Sequence, residues 1–322
     1  RRGGRMKNGK LSEKQGESVK NHIVSFSGGR TSAYMVWLFQ QKSLRENINV
    51  EFVYCDTGAE HPATYKFIKD VVKHYDINLT CLRCLINPEK GIGTTYKVVS
   101  LEECQPDLKP FKDMVLKYGV PSVTGPMCTR EMKSTPSDKY CNEKYGRGNY
   151  VKWLGIRADE PNRIKVVEDQ LDLFGGAKKI SKEKLPLRYL GQISNMTKQD
   201  ILDWWEDQPF NLNLTEELGN CVFCVKKGTN KIALAAKKEP EMAKKFITMV
   251  QDPRIPIPAT KAAAGHLIDT MYRGRLSLGD VIESYKDVSI KDLSDSITRG
   301  RRYSADSCSE SCESMTLDLF GQ

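Results

Sequence analysis

A glycine-rich octet, S-F-S-G-G-R-T-S at residues 25–32, constrains the fold of this chain more than any other feature. It follows a short, largely apolar run at residues 22–24 and precedes an apolar segment at residues 33–39. This order predicts a strand, a loop and a helix. Adjacent glycines let a ligand approach the backbone because they carry no Cβ, and the N–H groups that begin a helix favour negative charge. The octet therefore indicates a phosphate-binding loop; the alternative is an ordinary glycine turn before a helix.

The spacing within the octet excludes two common phosphate-binding motifs. The P-loop needs a Gly-Lys-Ser or Gly-Lys-Thr sequence, which is missing here. The dinucleotide fingerprint needs a third glycine at a fixed offset, and the octet has none. The spacing S-x-S-G-G-x-x-S instead resembles the pyrophosphate loop of the ATP pyrophosphatases. These enzymes cleave ATP between the α and β phosphates, adenylate an acceptor and release pyrophosphate.

The composition is typical of a soluble globular protein, because 39% of the 322 residues are hydrophobic and 28% are charged. A chain of this length accommodates one α/β domain with a smaller appendage. No apolar run approaches the length of about 18 residues that a transmembrane helix needs, so we expect no membrane span and a cytoplasmic location. The net charge of +9 suits polyphosphate or nucleic acid as a partner, and it also fits a merely soluble surface.

Apolar runs alternate with helical periodicity along the chain, which predicts a parallel sheet covered by helices. The expected fold is α/β, a doubly wound parallel sheet with a helical C-terminal appendage. Further strands are predicted at residues 50–54, 79–86 and 151–156, and helices at residues 62–74, 197–205 and 231–250, the last interrupted at Pro240. The predicted parts are a disordered basic segment at 1–20, a nucleotide-binding domain at 21–235, a helical region at 236–300 and a mobile, cysteine-containing tail at 301–322.

A second glycine-containing element, C-D-T-G-A-E-H-P at residues 55–62, follows the second predicted strand. Ligands of parallel sheets bind beyond the carboxyl ends of the strands, so this element is expected to lie near the octet. Asp56 is predicted to meet a magnesium-bound phosphate or a nucleotide hydroxyl, and Gly58 permits close approach. The alternative is a strand-to-helix turn in which Asp56 caps the backbone.

The ten cysteines of a chain with otherwise cytosolic character favour metal or redox chemistry over structural disulfides. Cys128 precedes an arginine and Lys133, and cations beside a thiol stabilise the thiolate that ligates metal. With Cys141 and the late pair Cys221 and Cys224, Cys128 would provide four thiolates. Zinc and a [4Fe-4S] cluster both accept four thiolates, and the spacing does not choose between them.

The alternative for any C-x-x-C pair is two buried structural thiols. We interpret Cys81 and Cys84 in this way, because residues i and i+3 of a strand face opposite sides of the sheet. A further candidate is the segment L-G-I-R-A-D-E-P-N-R at residues 154–163, in which Arg157 and Arg163 follow the fourth predicted strand. Guanidinium groups bind phosphate or sulfate bidentately; the alternative is a solvated loop with Arg–Glu pairs.

The order of these elements resembles that of the phosphoadenosine phosphosulfate (PAPS) reductase family in its broad sense, which has the adenine nucleotide α-hydrolase-like fold. The resemblance covers roughly residues 20–235. It rests on S-F-S-G-G-x-x-S, D-T-G-x-E-H-P, C-T-R-x-x-K-x-x-P, L-G-I-R-A-D-E-x-x-R and the late C-x-x-C. The broad family includes PAPS and adenylylsulfate reductases, the small ATP sulfurylase subunit, sulfur-inserting enzymes such as those of DNA phosphorothioation, and many phage and prophage members.

The resemblance implies roles for individual residues. Catalytic roles fall to Ser32, Arg157 and Lys133. Nucleotide contacts fall to Ser25, Phe26, Ser27, Gly28, Gly29, Arg30, Thr31, Ser32, Asp56, Thr57, Gly58 and Arg163. The resemblance also implies a [4Fe-4S] cluster on Cys128, Cys221 and Cys224, with Cys141 as the candidate fourth ligand because Met127 stands where many members have an adjacent Cys-Cys pair. Zinc is the alternative metal.

Two departures from the family pattern favour an enzyme that uses ATP and Mg²⁺ over a reductase. The Glu-Cys-Gly-(Ile/Leu)-His element that carries the catalytic cysteine of the reductases does not occur, although Cys308 and Cys312 could replace it. The S-G-G-x-x-S loop is complete, whereas reductases tend to have an eroded loop. The expected partners are ATP or a PAPS-like nucleotide, a nucleic-acid or small-metabolite acceptor, and a sulfur donor protein. The alternatives are a thiol-dependent PAPS or adenylylsulfate reductase and a non-catalytic redox-sensing binding module.

Overall fold

The computed structural model of the protein describes residues 21–163 and 187–301. The predicted N-terminal segment at 1–20 lies outside the described residues, as does the predicted tail from residue 302 onward with Cys308 and Cys312. The described chain contains a six-stranded sheet with the strand order β4-β3-β2-β1-β5-β6. The strands are β1 (Asn21–Phe26), β2 (Val50–Asp56), β3 (Leu79–Leu85), β4 (Thr95–Val99), β5 (Tyr150–Leu154) and β6 (Leu187–Tyr189).

Helices connect the strands and continue beyond the sheet. They are α1 (Arg30–Arg45), α2 (Pro62–Tyr75), α3 (Lys109–Tyr118), α4 (Met127–Thr129), α5 (Thr135–Tyr145), α6 (Lys198–Glu206), α7 (Thr229–Lys238), α8 (Pro240–Val250), α9 (Ala259–Ala263), α10 (Leu278–Ser284) and α11 (Ile290–Arg301). A π-helical turn, Arg130–Ser134, joins α4 to α5, and short 3₁₀ turns occur at Pro161–Arg163, Leu190–Gln192, Glu216–Leu218 and Arg273–Arg275. No described helix is long and apolar enough to cross a membrane.

The predicted α/β fold with a mainly parallel sheet is confirmed. Neighbouring strands pair in parallel except β3 and β4, which pair antiparallel at one edge. β4 was not predicted, because its residues T-Y-K-V-V are only partly buried and an edge strand lacks the continuous apolar run of a central strand. Every residue of the central strand β5 is buried, by contrast, and its apolar run was recognised.

Local sequence signals account for the helix ends. Pro62 and Pro240 each begin a helix, where a missing N–H costs nothing. Thr197 caps α6: its hydroxyl accepts a hydrogen bond from the Asp200 N–H, while the Asp200 carboxylate accepts one from the Thr197 N–H. Pro240 thus separates α7 from α8, as the interrupted helical pattern predicted.

One hydrophobic core extends across the predicted boundary between residues 235 and 236. That boundary lies inside α7, and the buried Ile232 and Leu234 of α7 belong to the same core cluster as Phe246 of α8 and Ile297 of α11. The same cluster reaches Phe223 beside the late C-x-x-C pair. Pro240 separates two helices but does not divide the core that they share.

At the amino end of β2, the carboxylate of Glu51 is buried among hydrogen-bond donors. Lys144 Nζ donates to Glu51 Oε1 at 2.8 Å, and Thr80 Oγ1 donates to it at 2.9 Å. The hydroxyls of Tyr140 and Tyr145 also donate to this carboxylate. Burial by itself would raise the pKa of Glu51, but these hydrogen bonds outweigh burial and lower the pKa below the ordinary 4.5.

We expect Glu51→Gln to lower the free energy of unfolding by about 1.5–3 kcal/mol at pH 7, because charge-assisted hydrogen bonds are lost. The carboxylate has a lowered pKa in the folded state, so its contribution is fully present above the unfolded-state pKa and is lost as pH falls through the folded-state pKa. Urea unfolding at pH 7 and pH 3 should therefore show a difference between wild type and variant that shrinks at the lower pH. Glu143→Gln, which removes a carboxylate that accepts from the exposed Tyr96 hydroxyl, serves as the control. Equal losses for Glu51→Gln at both pH values would contradict the assignment.

Candidate functional site

The strand order creates a crevice between the carboxyl ends of β1 and β5. The chain runs from β1 to β2 and β3 on one side of β1, and then returns to β5 on the other side. β1 pairs in parallel with both neighbours. The loops that follow β1 and β5 therefore leave the sheet in different directions, and such a switch point is where open α/β sheets bind ligands.

The loop after β1 is held in a shape that requires glycine. Gly28 has φ +82°, a left-handed conformation, and a Cβ at this position would lie 2.7 Å from Thr64 Cγ2 and 3.1 Å from Ile68 Cδ1 of α2. Gly29 begins α1 without a capping side chain, and the first turn of this 16-residue helix has no acidic residue. The N-terminus of α1 therefore lies at the crevice. No carboxylate in the first turn of the helix offsets the positive end of the helix dipole.

Ser27 and Ser32 close the loop by hydrogen bonds to each other. Ser32 Oγ donates to Gly29 O at 3.0 Å and accepts from Ser27 N–H at 3.1 Å. The two hydroxyl oxygens lie 2.9 Å apart. Since the Ser32 proton is given to Gly29 O, the Ser27 hydroxyl donates to Ser32 in this arrangement. Ser32 is fully buried, so its role in the structure is to fix the shape of the loop.

Arg157 connects the loop after β5 to the loop after β1. Its Nη1 donates to Thr31 Oγ1 at 3.2 Å, and its Nε donates to Asp159 Oδ1 at 2.8 Å. A carboxylate oxygen of Glu160 lies 3.5 Å from its Nη2. Arg157 is 5% exposed as a residue, and the two carboxylates offset the charge of its guanidinium group. Arg163, the second predicted arginine, pairs with the other oxygen of Glu160 at 2.5 Å.

Arg30 lies at the start of α1, but its side chain is engaged away from the loop. Its Nε donates to Asn211 Oδ1 at 2.8 Å, and its guanidinium also donates to Leu212 O. The indole N–H of Trp205 donates to Arg30 O at 3.0 Å. No local sequence pattern links Arg30 to Trp205 or Asn211, because these two residues come about 180 residues later in the chain.

Asp56 is fully buried, and protein donors occupy both of its carboxylate oxygens. Oδ1 accepts from Gly58 N–H at 3.0 Å and from the Tyr65 hydroxyl at 2.9 Å, and Oδ2 accepts from Arg83 Nε at 2.6 Å. Burial raises the pKa of Asp56 to about 6, the charge of Glu60 adds to this, and Gly58 and Arg83 oppose it. As placed, this carboxylate holds the Asp-Thr-Gly turn, and its contact with a magnesium-bound phosphate stays a prediction.

Three of the four predicted thiolate ligands line one small pocket beyond the end of β2. Cys128, Cys221 and Cys224 share this pocket with Thr57 and Lys133. Its volume is about 30 Å³, which is room for one or two waters. The remaining lining residues are mostly apolar: Phe111, Pro121, Pro126, Thr129, Met132, Phe223, Val225, Lys226, Phe246 and Met271.

Backbone pairing brings the late C-x-x-C pair to the Asp-Thr-Gly element. Glu60 and Cys221 form an isolated antiparallel bridge, and Val222 N–H donates to Ala59 O at 3.1 Å. Lys133 reaches the pocket because Arg130–Ser134 is a π-helical turn, a feature that is common at functional sites. Both motifs are recognisable in the sequence. No local sequence pattern predicts the π-helical turn or the backbone bridge between Glu60 and Cys221.

Cys141, the predicted fourth ligand, does not lie at this pocket. It is fully buried on α5 in a separate cluster with Tyr140 and Tyr150. Burial raises the pKa of its thiol to about 11, so it remains protonated. Cys141 follows Cys128 closely in the sequence, but α5 places its side chain against residues of the sheet and not at the pocket. The interpretation of Cys81 and Cys84 as core residues is confirmed, since both are buried.

A [4Fe-4S] cluster or zinc on the four predicted cysteines does not fit this placement. Within residues 21–163 and 187–301, no group of three or more histidine, cysteine or acidic side chains is arranged to hold a metal ion. Cys128, Cys221 and Cys224 line the same pocket, whereas Cys141 lies in a separate cluster, so the four predicted cysteines are not brought together. No chemical step is therefore derived through a metal centre.

Comparison with known proteins identifies a family and two relatives. The family model of the phosphoadenosine phosphosulfate reductase domain matches residues 21–204. The chain is 44% identical over 298 residues to the "Uncharacterized nin region protein ORF290" of Escherichia phage lambda, covering 91% of this chain and 94% of the relative. It is 28% identical over 145 residues to the "Uncharacterized protein MJ0066" of Methanocaldococcus jannaschii, covering 45% of this chain and 24% of that protein. The matched domain contains both loops of the crevice and the Asp-Thr-Gly element, and it ends before the late C-x-x-C pair.

Proposed function

The chain belongs to the phosphoadenosine phosphosulfate reductase domain family, and from this premise we propose that it binds ATP, adenylates an acceptor and releases pyrophosphate. The complete S-G-G-x-x-S loop at the switch point supports this proposal over a reductase. The observation that carries it is the hydrogen bond from Arg157 Nη1 to Thr31 Oγ1, 3.2 Å, which ties the loops after β5 and β1 together around the N-terminus of α1. A phosphate chain fits such a site because backbone N–H groups and a helix dipole favour negative charge.

In the proposed reaction, a nucleophile of the acceptor attacks the α-phosphorus of ATP. The bond between the α-phosphorus and the oxygen that bridges to the β-phosphate breaks, and pyrophosphate leaves with the electron pair. The protein contributes orientation and charge stabilisation rather than covalent chemistry. The backbone of the glycine loop would hold the phosphates, and Ser32 and Arg157 would keep that backbone in position. Mg²⁺ would arrive with the nucleotide and be held by its phosphates.

We propose a nucleic acid as the first acceptor to test and a small sulfur metabolite as the second. The net charge of +9 supports an anionic partner. Sulfur transfer from a donor protein and a cytoplasmic location belong to the same proposal. Each follows from the resemblance to sulfur-handling members of the family.

The test is pyrophosphate release from ATP by the purified full chain, with RNA, DNA or small thiols added as acceptors, together with calorimetric measurement of ATP binding. Ser32→Ala is expected to weaken ATP binding by about tenfold, because one lost hydrogen bond of about 1.4 kcal/mol corresponds to that factor. Ser43→Ala is the matched control, since Ser43 Oγ donates to Gln40 O of the same helix at 2.9 Å, as Ser32 donates to Gly29 O. Its ATP binding should remain unchanged.

Two outcomes would contradict the proposal. One is the failure of ATP to bind to the folded wild-type protein. The other is release of sulfite from PAPS in the presence of thioredoxin, which would identify a thiol-dependent reductase instead. Pyrophosphate release that is lost in Ser32→Ala and retained in Ser43→Ala would support the adenylating enzyme and direct the search to its acceptor.

A further inference from the structure

The positive charge of the chain is concentrated in one segment beyond the matched family domain. Residues 226–275 contain eleven lysines and arginines and four acidic residues, a net charge of +7, and the whole chain carries +9. The family model ends at residue 204. We propose that the turn Arg273–Arg275 and the lysines beside it form a surface that holds the phosphates of double-stranded DNA.

This inference deepens the proposed function, because it names the acceptor class and the surface that binds it. Only the role of the DNA as acceptor rests on the adenylation proposal. A dense cluster of basic residues attracts a polyanion whether or not the glycine loop uses ATP.

Acidic side chains offset part of the charge of α7. Lys231 and Lys238 pair with Glu216 and Glu217, which precede the basic segment. The side chains of the turn Arg273–Arg275 are exposed to solvent instead, so a ligand can reach their guanidinium groups. These groups bind phosphate oxygens bidentately.

The backbone of the turn gives both arginines a rigid support. Gly274 has φ +73° and Arg275 has φ +61°, and a left-handed conformation is uncommon for a residue with a Cβ. The N–H groups of Met271 and Tyr272 donate to Leu276 O at 3.0 and 2.9 Å, which closes the turn. Met271 and Tyr272 are buried, so the turn is anchored on the core and its side chains start from a fixed position, as a binding surface requires.

Backbone contacts connect the turn to the Asp-Thr-Gly element. The Tyr272 hydroxyl donates to Phe223 O at 3.0 Å. The neighbouring Val222 N–H donates to Ala59 O at 3.1 Å. The turn is therefore held against the same segment that packs on the loop after β2.

Lysines occupy the space between the turn and that loop. Lys226 and Lys133 line one pocket together with Met271, just before the turn, and Thr57 of the Asp-Thr-Gly element. Cations thus extend from the turn toward the carboxyl end of β2. DNA held by the turn would bring a nucleotide toward the crevice in which we propose that ATP binds.

The residues of the basic segment favour a duplex over a single strand. Single strands are bound largely by stacking of their bases on exposed aromatic rings, and Phe246 and Tyr272 of this segment are buried. Duplex DNA presents one negative charge per about 1.7 Å of its axis, which matches a surface of closely spaced cations. Duplex RNA is recognised mainly through 2′-hydroxyls along its wide minor groove, and a short turn with two guanidinium groups suits phosphates better.

The test is fluorescence anisotropy on the full chain without ATP. The probes are a labelled DNA duplex of about 20 base pairs, two helical turns, the corresponding single strand and the corresponding RNA duplex. The DNA duplex should bind with a Kd of roughly 1–100 μM at physiological salt, and more weakly as the salt concentration rises. Arg275→Gln should weaken this binding about tenfold, because a charge-assisted hydrogen bond to phosphate is lost. It should also make the plot of log K against log salt concentration shallower by about one.

Arg45→Gln is the matched control. Arg45 is exposed in the last turn of α1, so the substitution removes the same charge from a different surface and should leave DNA binding nearly unchanged. Arg273→Gln should weaken binding to a similar extent as Arg275→Gln, so the failure of one variant to fold would not decide the result.

Equal effects of Arg275→Gln and Arg45→Gln would overturn the proposal, because net charge and not the turn would then explain binding. Wild-type affinity in the folded variants of the turn would overturn it as well. Tighter binding of the single strand or of the RNA duplex would overturn the choice of double-stranded DNA. A chain that releases pyrophosphate from ATP but binds no duplex would contradict this inference and leave the adenylation proposal standing, and a chain that binds the duplex but not ATP would do the reverse.

Discussion

Gly28→Ala is expected to lower the free energy of unfolding by about 2–4 kcal/mol and to abolish measurable ATP binding. Two physical effects add up at this position. A residue with a Cβ is strained at φ +82°, and the new Cβ would lie 2.7 Å from Thr64 Cγ2. The loop can accept the methyl only by moving away from α2. That movement would break the hydrogen bonds by which Ser32 holds the loop closed.

Gly91→Ala separates the two effects. Gly91 also has a left-handed backbone, with φ +90°, but a Cβ there would meet nothing within 4 Å. It should therefore cost only the backbone strain, about 1–2 kcal/mol, and leave ATP binding intact. Thr64→Ser in the Gly28→Ala background removes the clashing methyl and should restore part of the lost stability. Urea unfolding and calorimetry measure both quantities; equal losses in the two single glycine variants would show that contact with α2 does not shape the loop.

Arg83→Met is expected to lower the free energy of unfolding by about 3–5 kcal/mol at pH 8, because it leaves Asp56 as a buried charge without its cation. Arg83 pairs with Asp56 at 2.6 Å and with Asp107 at 3.2 Å. The pKa of Asp56 is already raised to about 6, chiefly by burial and then by Glu60, and loss of the guanidinium should raise it further. An acid whose pKa is raised in the folded state reduces stability as pH rises from its unfolded-state pKa toward its folded-state pKa. The loss should therefore be smaller at pH 5 than at pH 8.

Asp56→Asn in the Arg83→Met background tests the cause directly. The amide removes the uncompensated charge, so the double variant should be more stable than Arg83→Met alone at pH 8. Arg254→Met is the control, since Arg254 forms an exposed pair with Asp252 and such pairs contribute little. If the double variant were no more stable than Arg83→Met, or if the loss were independent of pH, the buried charge of Asp56 would not be the reason for the effect.

The sequence predicted the central part of the fold well because parallel strands leave continuous apolar runs. β1, β2, β3 and β5 were expected within a few residues of their observed ends, and the caps at Thr197 and Pro240 were recognised from side-chain chemistry. β4 was missed because a short, half-exposed edge strand has no such run. The boundary predicted at residue 235 stays a prediction; the structure shows that α7, α8 and α11 share one core.

As with the fold, the parts of the candidate site that depend on local patterns were predicted, and the parts that depend on long-range contacts were not. Gly28 and Gly29 were recognisable because a glycine loop between a strand and a helix is a local pattern. Asp56 was correctly predicted to lie at the end of a strand. Its carboxylate accepts hydrogen bonds from Arg83 and Tyr65, and nothing in the local sequence indicates those contacts. Cys141 was chosen as the fourth ligand because Met127 replaces the adjacent cysteine of the family pattern, but its position in the sequence does not show that its side chain packs in a separate core cluster.

The sequence by itself determined the alternation of the central strands with helices, the phosphate-type loop at residues 25–32 and the family, because each depends on residues close together along the chain. Only the tertiary structure decided which distant residues act together. It joined Arg157 to Thr31 across the switch point and brought Cys221 to Glu60, 161 residues apart. It also placed Cys141 in a separate core. Long-range contacts of this kind arise from strand order and from the packing of buried surfaces, which no local pattern encodes.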